Sequence, residues 1–452
     1  MGFFCSQDSR TGIIRIGFPR LRASGTIAGT RIVSVELRER NFAVEVVQQL
    51  RDAGYQALWA GGCVRDLLRG SPPKDYDIAT DAEPADVRRV FGKNRTLAVG
   101  ASFGVIVVRA PKGLSPVEVA TFRTEGPYLD GRRPEHVQFS TAEEDAKRRD
   151  FTINGMFYDP VDEHVLDYVG GKQDLEANLI RAIGAPSERM QEDKLRMLRA
   201  VRFAATLGFD LDEHTAHAVE AMAHEITVVS AERIAQELRR MIVHVDRRRA
   251  VELIRTLGLL PHVLPELQAL AESEPRWTHT LTVLDALEAP SFELAMTALW
   301  HDAGPTAGRP AETEFAEQAT RRLRLSNIQR EKISWLLGNQ QSLSDAANLP
   351  ASRLKRLLVH PHVLELLDLM LAQAIARNEP ASAVTFCRDY FENTPPEVLC
   401  PAPLIDGNDL LNTGLEPGPH IKTVLETVRD AQLNGEIDSR EAALELAARQ
   451  RE

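Results

Sequence analysis

The pattern of the chain changes once, near residue 186, and that change limits the folds open to it. From about 36 to 185 strand and helix signals alternate. VELRERNFAVEVVQQLRDAG reads as an amphipathic helix closed by Gly54, and QALWAGG as a short strand running into a glycine turn. VRDLLRG is a short helix, YDIAT a strand, and PADVRRVF a helix opened by Pro84. GVIVVRA and PVEVATFR are strands rich in β-branched residues. From 186 onward the apolar residues recur at helical spacing. EDKLRMLRAVRFAATLG stops at Gly208, and HTAHAVEAMAHEI, AERIAQELRRMIV and RAVELIRTLGLL follow. The reading is α+β: a small mixed sheet first, then helices only. At 452 residues the chain exceeds one core, so about three or four folding units are expected. Proline-containing breaks near 261–275, 303–311 and 394–403 are the expected linkers, and no fixed-period repeat is visible.

Composition narrows the class. Hydrophobic residues at 43% and charged residues at 26% are ordinary for a globular protein. No run of about 18 apolar residues occurs, so no membrane partner is expected. The four cysteines, Cys5, Cys63, Cys387 and Cys400, are scattered with no CxxC pair. That counts against a zinc site or a disulfide framework and points to a reducing compartment, the cytoplasm. The net charge of −11 counts against nucleic acid when taken alone. The basic residues are nevertheless clustered: Arg65, Arg69 and Lys74; Arg88, Arg89, Lys93 and Arg95; Lys147, Arg148 and Arg149; Arg196, Arg199 and Arg202. Such clusters are either solvated faces or the lining of one basic cleft. Residues 1–35 carry five arginines and one aspartate. Gly2, Cys5 and Ser6 fit a loose myristoylation pattern, and the acid-poor composition resembles a transit peptide. The reading preferred here is a disordered extension.

Two short stretches carry chemistry. KDYDIATDA places Asp75 and Asp77 two residues apart, which on a strand points both carboxylates to one face. Like charges so placed call for a cation, and with phosphates nearby Mg²⁺ is the hard ion that suits them. About ten residues earlier, WAGGCVRD runs a strand through Gly61 and Gly62 into a helix with Arg65 in its first turn. Phosphate-binding backbone beside a carboxylate pair is what a nucleotide–metal site requires. Glu118, in PVEVATFR, is the candidate third carboxylate, on a strand able to lie beside the first.

Taken in order, GG-x-VRD, DxDIAT, VEVATFR, RRDFTIN (148–154), DYVGG (167–171), EDKLRMLRAVRF (192–203) and SAERIAQELRRMI (230–242) resemble the class II tRNA nucleotidyltransferase and bacterial poly(A) polymerase family. The resemblance is strong over about 36–260 and loose beyond. It implies a nucleotidyltransferase head at 36–185, a helical neck at 186–260, a helical body at 261–395 and an RNA-binding tail at 396–452. It implies catalytic Asp75, Asp77 and Glu118, with Asp75 and Asp77 holding Mg²⁺. Gly62 and Arg65 would contact the triphosphate, and Arg149 and Asp150 the triphosphate and ribose. Asp150 is either an acceptor for the ribose 2′-OH or a helix N-cap. Asp193 and Arg196, three apart on one helix, would read the Watson–Crick edge of cytosine and adenine, each an exocyclic amine beside a ring-nitrogen acceptor. Out of context they are an ordinary ion pair. Arg199 and Arg202 continue that spacing and, by resemblance, contact nucleotide; without it they are a solvated face.

The implied partners are CTP, ATP and the 3′ end of tRNA or another RNA, with no DNA. The implied reaction is template-independent addition of CCA. Poly(A) synthesis, addition of CC or A alone, and a catalytically dead RNA-binding protein are the alternatives, and VGASFGVIVV (99–108) does not separate the subtypes. WTHTLTVLDAL and LAMTALWHDAGP resemble an HD phosphohydrolase, with His279, His301 and Asp302 as ligands. TEFAEQA and LLGNQQS stand where further histidines belong, so a degenerate body without hydrolase activity is expected. PLIDGNDLLNTGLEPGPHIKTVLETV, with turns at Gly407, Gly414 and Gly418, resembles the family's tail, which grips the tRNA elbow; a plain helical cap is the alternative.

Overall fold

The computed structural model describes residues 5–7, 14–16, 27–100, 104–125, 137–304 and 310–450. The Gly2 reading and part of the 99–108 segment lie outside them. The chain divides into two compact units, Met1–Glu237 with Thr256–Val263, and Leu238–Arg255 with Leu264–Glu452.

The first unit is built on a seven-stranded mixed sheet. Its spatial order is His164–Leu166, Phe157–Asp159, Ala57–Ala60, Asp77–Thr80, Val117–Thr121, Val105–Val108 and Thr96–Gly100. Only the Asp77 and Glu118 strands run parallel to each other; the other pairings are antiparallel. All four residues of Ala57–Ala60 are buried, as expected for a strand covered on both faces. The Trp59 ring packs on Tyr76 and Tyr158, with centroids 4.7 and 5.6 Å away. Helix Ile27–Asp52 lays Phe42, Ala43, Val46, Val47 and Leu50 into this core at helical spacing. Helix Pro84–Phe91 opens on its proline and buries Val87 and Phe91. Of the first 35 residues, Cys5–Gln7 pairs antiparallel with Ile14–Ile16.

One strand boundary differs from the sequence reading. The strand begins at Asp77, so Asp75 lies in the bend before it, not on the strand. The neighbouring strand ends at Ala60, where Gly61 turns away at a φ of 72°. That edge gives residue 75 no strand partner, and Pro72 and Pro73 just upstream have no N–H to give a ladder.

DYVGG is a tightly packed corner. The Asp167 carboxylate accepts N–H from Val169, Gly171 and Lys172 at 3.1, 3.0 and 2.9 Å. A Cβ on Gly171 would fall 2.2 Å from the Thr152 carbonyl oxygen, so only glycine fits there. The unit continues with helices Pro186–Glu192, Leu195–Leu207, Glu213–Met222 and most of Ala231–Ile242. Gly208, left-handed at φ 70°, closes Leu195–Leu207 where the sequence placed its end.

The second unit is helical. Helix Phe292–Trp300 is buried at nearly every position, with Ser291 capping its start. Around the chain lie Glu274–Asp285, Asn327–Asn339, Val363–Arg377 and Ser382–Asn393. A small separate core of Ile405, Leu410, Val424, Val428, Ala443 and Ala447 organises the last helices. The HD-like stretch brings the His279 and His301 rings to 5.3 Å, but Asp302 turns to Arg276, Nε to Oδ2 3.1 Å. Gln340, from LLGNQQS, donates to the His301 carbonyl at 3.0 Å and accepts from Gln373. Among the described residues no single helix is long and apolar enough to cross a membrane.

Candidate active site

The carboxylates come together through strand register. Asp77 pairs with Glu118 in the parallel ladder, so both side chains leave the sheet on one face. Asp75, in the bend before the strand, lies near enough for its charge to act on Asp77. Its field is felt there: burial, then the charges of Asp75 and Glu118, push Asp77 up to about 6, while Arg149 pulls the other way. Asp77 opens to solvent on one side, yet the charges of two other acids act on it, and a divalent cation would relieve that repulsion. The donor set, oxygen only, fits such an ion.

The turn after Ala60 is the candidate phosphate side. Gly61 takes the positive φ, and its N–H donates to the Met156 carbonyl at 3.3 Å. A Cβ on Gly61 would sit 3.1 Å from Arg149 Nη1, whereas Gly62 meets only ordinary contact with Arg65. Arg65 donates to Asn154 Oδ1 at 2.8 Å and pairs with Asp66 at 2.8 Å. Arg149 is held by Asp145, Nη2 to Oδ2 2.9 Å, and its guanidinium stacks over the Phe157 ring at 4.9 Å. Asp145 grips Arg148 as well. Its burial would raise the carboxyl, but the two guanidiniums hold it below the usual range.

The other side is helix Leu195–Leu207. Asp150 is buried and receives both Nε and Nη2 of Arg199, at 2.8 and 2.5 Å, and N–H from Phe151 and Asn154. Burial alone would raise Asp150; the Arg199 charge and these donors outweigh it and bring it down to about 2. Its acceptors are thus engaged within the chain. Arg202 pairs with Glu237 at 2.6 Å, and Arg199 lies 3.9 Å from the same carboxylate.

The Asp193–Arg196 pair expected from helical spacing does not form. The preceding helix ends at Glu192, Asp193 is extended at φ −139°, and the next helix starts only at Leu195. The Asp193 carboxylate accepts the Leu195 N–H at 3.0 Å and pairs with Arg233 at 2.7 Å. Arg196 is buried and pairs with Glu192 at 2.6 Å, donating also to the Arg148 and Arg189 carbonyls. Asp193 still sits close enough to Arg199 to stabilise its charge.

Several of these partners were not singled out from sequence. Arg233 and Glu237 are four apart on Ala231–Ile242, a spacing that puts them on one face, but nothing local says that face turns inward. A separate group, Asp159, Asp162 and His164, brings its ligand atoms within 4.8 Å of one another and is the one such cluster among the described residues; those of Asp75, Asp77 and Glu118 do not all lie that close. It lies at the far end of the strand whose Phe157 faces Ala60, and Arg51 already pairs with both of its carboxylates, each at 2.9 Å.

Comparison with known proteins places this geometry. Residues 57–181 match the family model described as the poly A polymerase head domain, and 208–270 the one described as a probable RNA and SrmB-binding site of polymerase A. The CCA-adding enzyme of Bacillus pumilus is 41% identical over 247 residues, 54% of this chain and 60% of that relative. That of Lactobacillus johnsonii is 32% identical over 403 residues, 89% of this chain and 95% of that relative. The chain belongs to the CCA-adding enzyme family. The Bacillus stearothermophilus CCA-adding enzyme solved in complex with CTP superposes at a TM-score of 0.70 with 27% identity, covering 92% of this chain and 98% of that one. The Thermotoga maritima CCA-adding enzyme solved with tRNA, at 20% identity and a TM-score of 0.61, shares the fold. In CCA-adding-enzyme terms, the matched head model covers the carboxylate group, the glycine turn and the RRD segment together.

Proposed function

We propose that this chain adds CCA, from CTP and ATP, to the 3′ end of tRNA in the cytoplasm. The observation that carries the reading is the in-register pairing of Asp77 with Glu118, beside Asp75 and across from Arg149. Asp75 and Asp77 would hold Mg²⁺, with Glu118 completing the carboxylate set. When bound, that ion would withdraw electron density from the phosphate oxygens and favour ionisation of the attacking hydroxyl. Arg65 and Arg149, on either side of the Gly61–Gly62 turn, neutralise and orient the triphosphate. Arg199 and Arg202, fixed by Asp150 and Glu237, line the ribose and base side. The RNA 3′-oxygen attacks the α-phosphorus, and the bond to the β-phosphate breaks to release pyrophosphate.

Asp193 and Arg196 are our candidates for reading the base. Each exchanges its present partner, Arg233 or Glu192, for the amine and ring nitrogen of cytosine or adenine. Asp193→Ala and Arg196→Ala are expected to admit UTP and GTP; full discrimination in both variants would refute this assignment. We assign catalysis to 36–185, base reading to 186–260 and RNA contact to the tail, 396–452, with 261–395 a degenerate HD-like body. The test of the whole is incubation with tRNA lacking its 3′ end, Mg²⁺ and each nucleotide separately. Addition that stops at CCA supports the reading. An open-ended A tract makes the chain a poly(A) polymerase, and no addition makes it an RNA-binding protein.

A further inference from the structure

The helical unit keeps a small cavity beside its degenerate histidine pair. The stretch ARNEPASA ends one helix and starts another: Asn378, left-handed at φ 55°, closes Val363–Arg377, and Pro380 precedes Ser382–Asn393. That second helix opens on Ala381, with no side-chain cap. The first N–H groups of a helix have no partner inside it, so those of Ser382, Ala383 and Val384 stay free for a ligand. All three residues line a cavity of 240 Å³, with Arg377, Glu379, Gln340 and Gln373. Arg377 and Glu379 are exposed, and neither forms an ion pair among the described residues.

The amides inside are turned one way only. The His301 carbonyl can only accept, so Gln340 presents Nε2 to it, at 3.0 Å. Gln340 Oε1 then takes Gln373 Nε2, also at 3.0 Å. That leaves Gln373 Oε1 as the free end of the relay, and Gln373, 6% exposed, carries this acceptor into the cavity. An acceptor so buried is costly without a donor, and a ligand that donates there removes the cost.

We propose that this cavity is a binding site for a small sugar phosphate. The phosphate takes N–H from the start of Ser382–Asn393 and the fork of Arg377, as anions do at helix N-termini. The sugar hydroxyls donate to Gln373 Oε1 and to the Glu379 carboxylate. One cation, one anion and a neutral acceptor suit a ligand with an anionic end and a donor end; bare phosphate satisfies only the first. The 240 Å³ lie below the about 300–1,000 Å³ of sites for drug-sized ligands, so the base of a nucleotide would stay outside.

Isothermal titration calorimetry on the full-length protein, with ribose 5-phosphate, AMP, inorganic phosphate and ribose, tests this. Ribose 5-phosphate should bind about 3- to 10-fold tighter than inorganic phosphate, and ribose alone should give no heat. Arg377→Ala, a surface change, should weaken ribose 5-phosphate about 10- to 100-fold. Gln373→Met removes the acceptor and should abolish the preference over inorganic phosphate. Arg65→Ala, in the candidate triphosphate site, should leave the affinity unchanged. AMP binding as tightly assigns the site to a nucleotide; AMP excluded assigns it to a free sugar phosphate. If Gln373→Met does not fold, the wild-type preference over inorganic phosphate carries that arm. No heat with ribose 5-phosphate, equal binding of inorganic phosphate, an affinity that survives Arg377→Ala, or one lost in Arg65→Ala instead overturns the proposal.

Discussion

Asp77→Asn should make the protein more stable while it stops the reaction. Asp77 titrates at about 6 in the folded protein against 3.8 ordinarily. Between those values the folded state binds a proton that the unfolded state has lost, so stability falls as pH rises from about 4 to 6 and stays low above. A difference of about two pH units is worth about 3 kcal/mol unscreened, at about 1.4 kcal/mol per unit. The carboxylate opens to solvent, and screening reduces this to about 1 kcal/mol. Asparagine has the shape of the protonated acid without its charge. At pH 7 in a chelator the variant should therefore melt about 2–4 °C higher than the wild type. That gain should shrink as the pH is lowered from about 6 toward 4. Excess Mg²⁺ should invert the order, since saturation to about 100 times Kd stabilises the wild type by about 2.7 kcal/mol. Nucleotide addition should be lost in the variant throughout. Differential scanning fluorimetry at two pH values, with and without Mg²⁺, measures every term. A variant no more stable than wild type in chelator at pH 7, or an order that Mg²⁺ leaves alone, would show that the three acids do not form one cation site.

Three further outcomes are expected. Gly171→Ala sets a methyl 2.2 Å from the Thr152 carbonyl oxygen and should lower stability by about 1–3 kcal/mol or more, read as a drop in urea midpoint. Burial, the larger influence, holds His301 down to about 4, so below the ordinary 6.5 the unfolded state takes its proton first. The unfolding free energy of the helical unit should then be about 2 kcal/mol lower at pH 5 than at pH 7, and His301→Gln should flatten that slope. Arg233→Ala leaves the Asp193 carboxylate without its ion-pair partner, and should cost about 2 kcal/mol and blur discrimination of CTP from UTP, measured in paired single-nucleotide assays.

The elements that define the head were legible because their signals are local. A buried strand such as ALWA is four apolar residues running into a glycine turn, and Gly208 closes its helix by the left-handed conformation that glycine alone adopts freely. Helix Leu195–Leu207 starts three residues later than the sequence indicates, because the periodic pattern runs back through Glu192 without a break. Asp193 leaves the helix to accept the Leu195 N–H and meet Arg233, forty positions on, and helical spacing carries no trace of that partner.

From its sequence alone the chain determined a mixed head followed by helices, the two aspartates, the glycine turn and the arginines beside them, since residue type and short spacing decide those. Tertiary structure decided which charges face one another. Glu118 joins Asp77 by ladder register, Arg199 finds Asp150 forty-nine residues away, and Asn154 comes to rest between two arginines and an acid. Ion pairs and strand register are settled by where the chain returns after long separations, and the free energy of that return belongs to the whole core rather than to any short stretch of it.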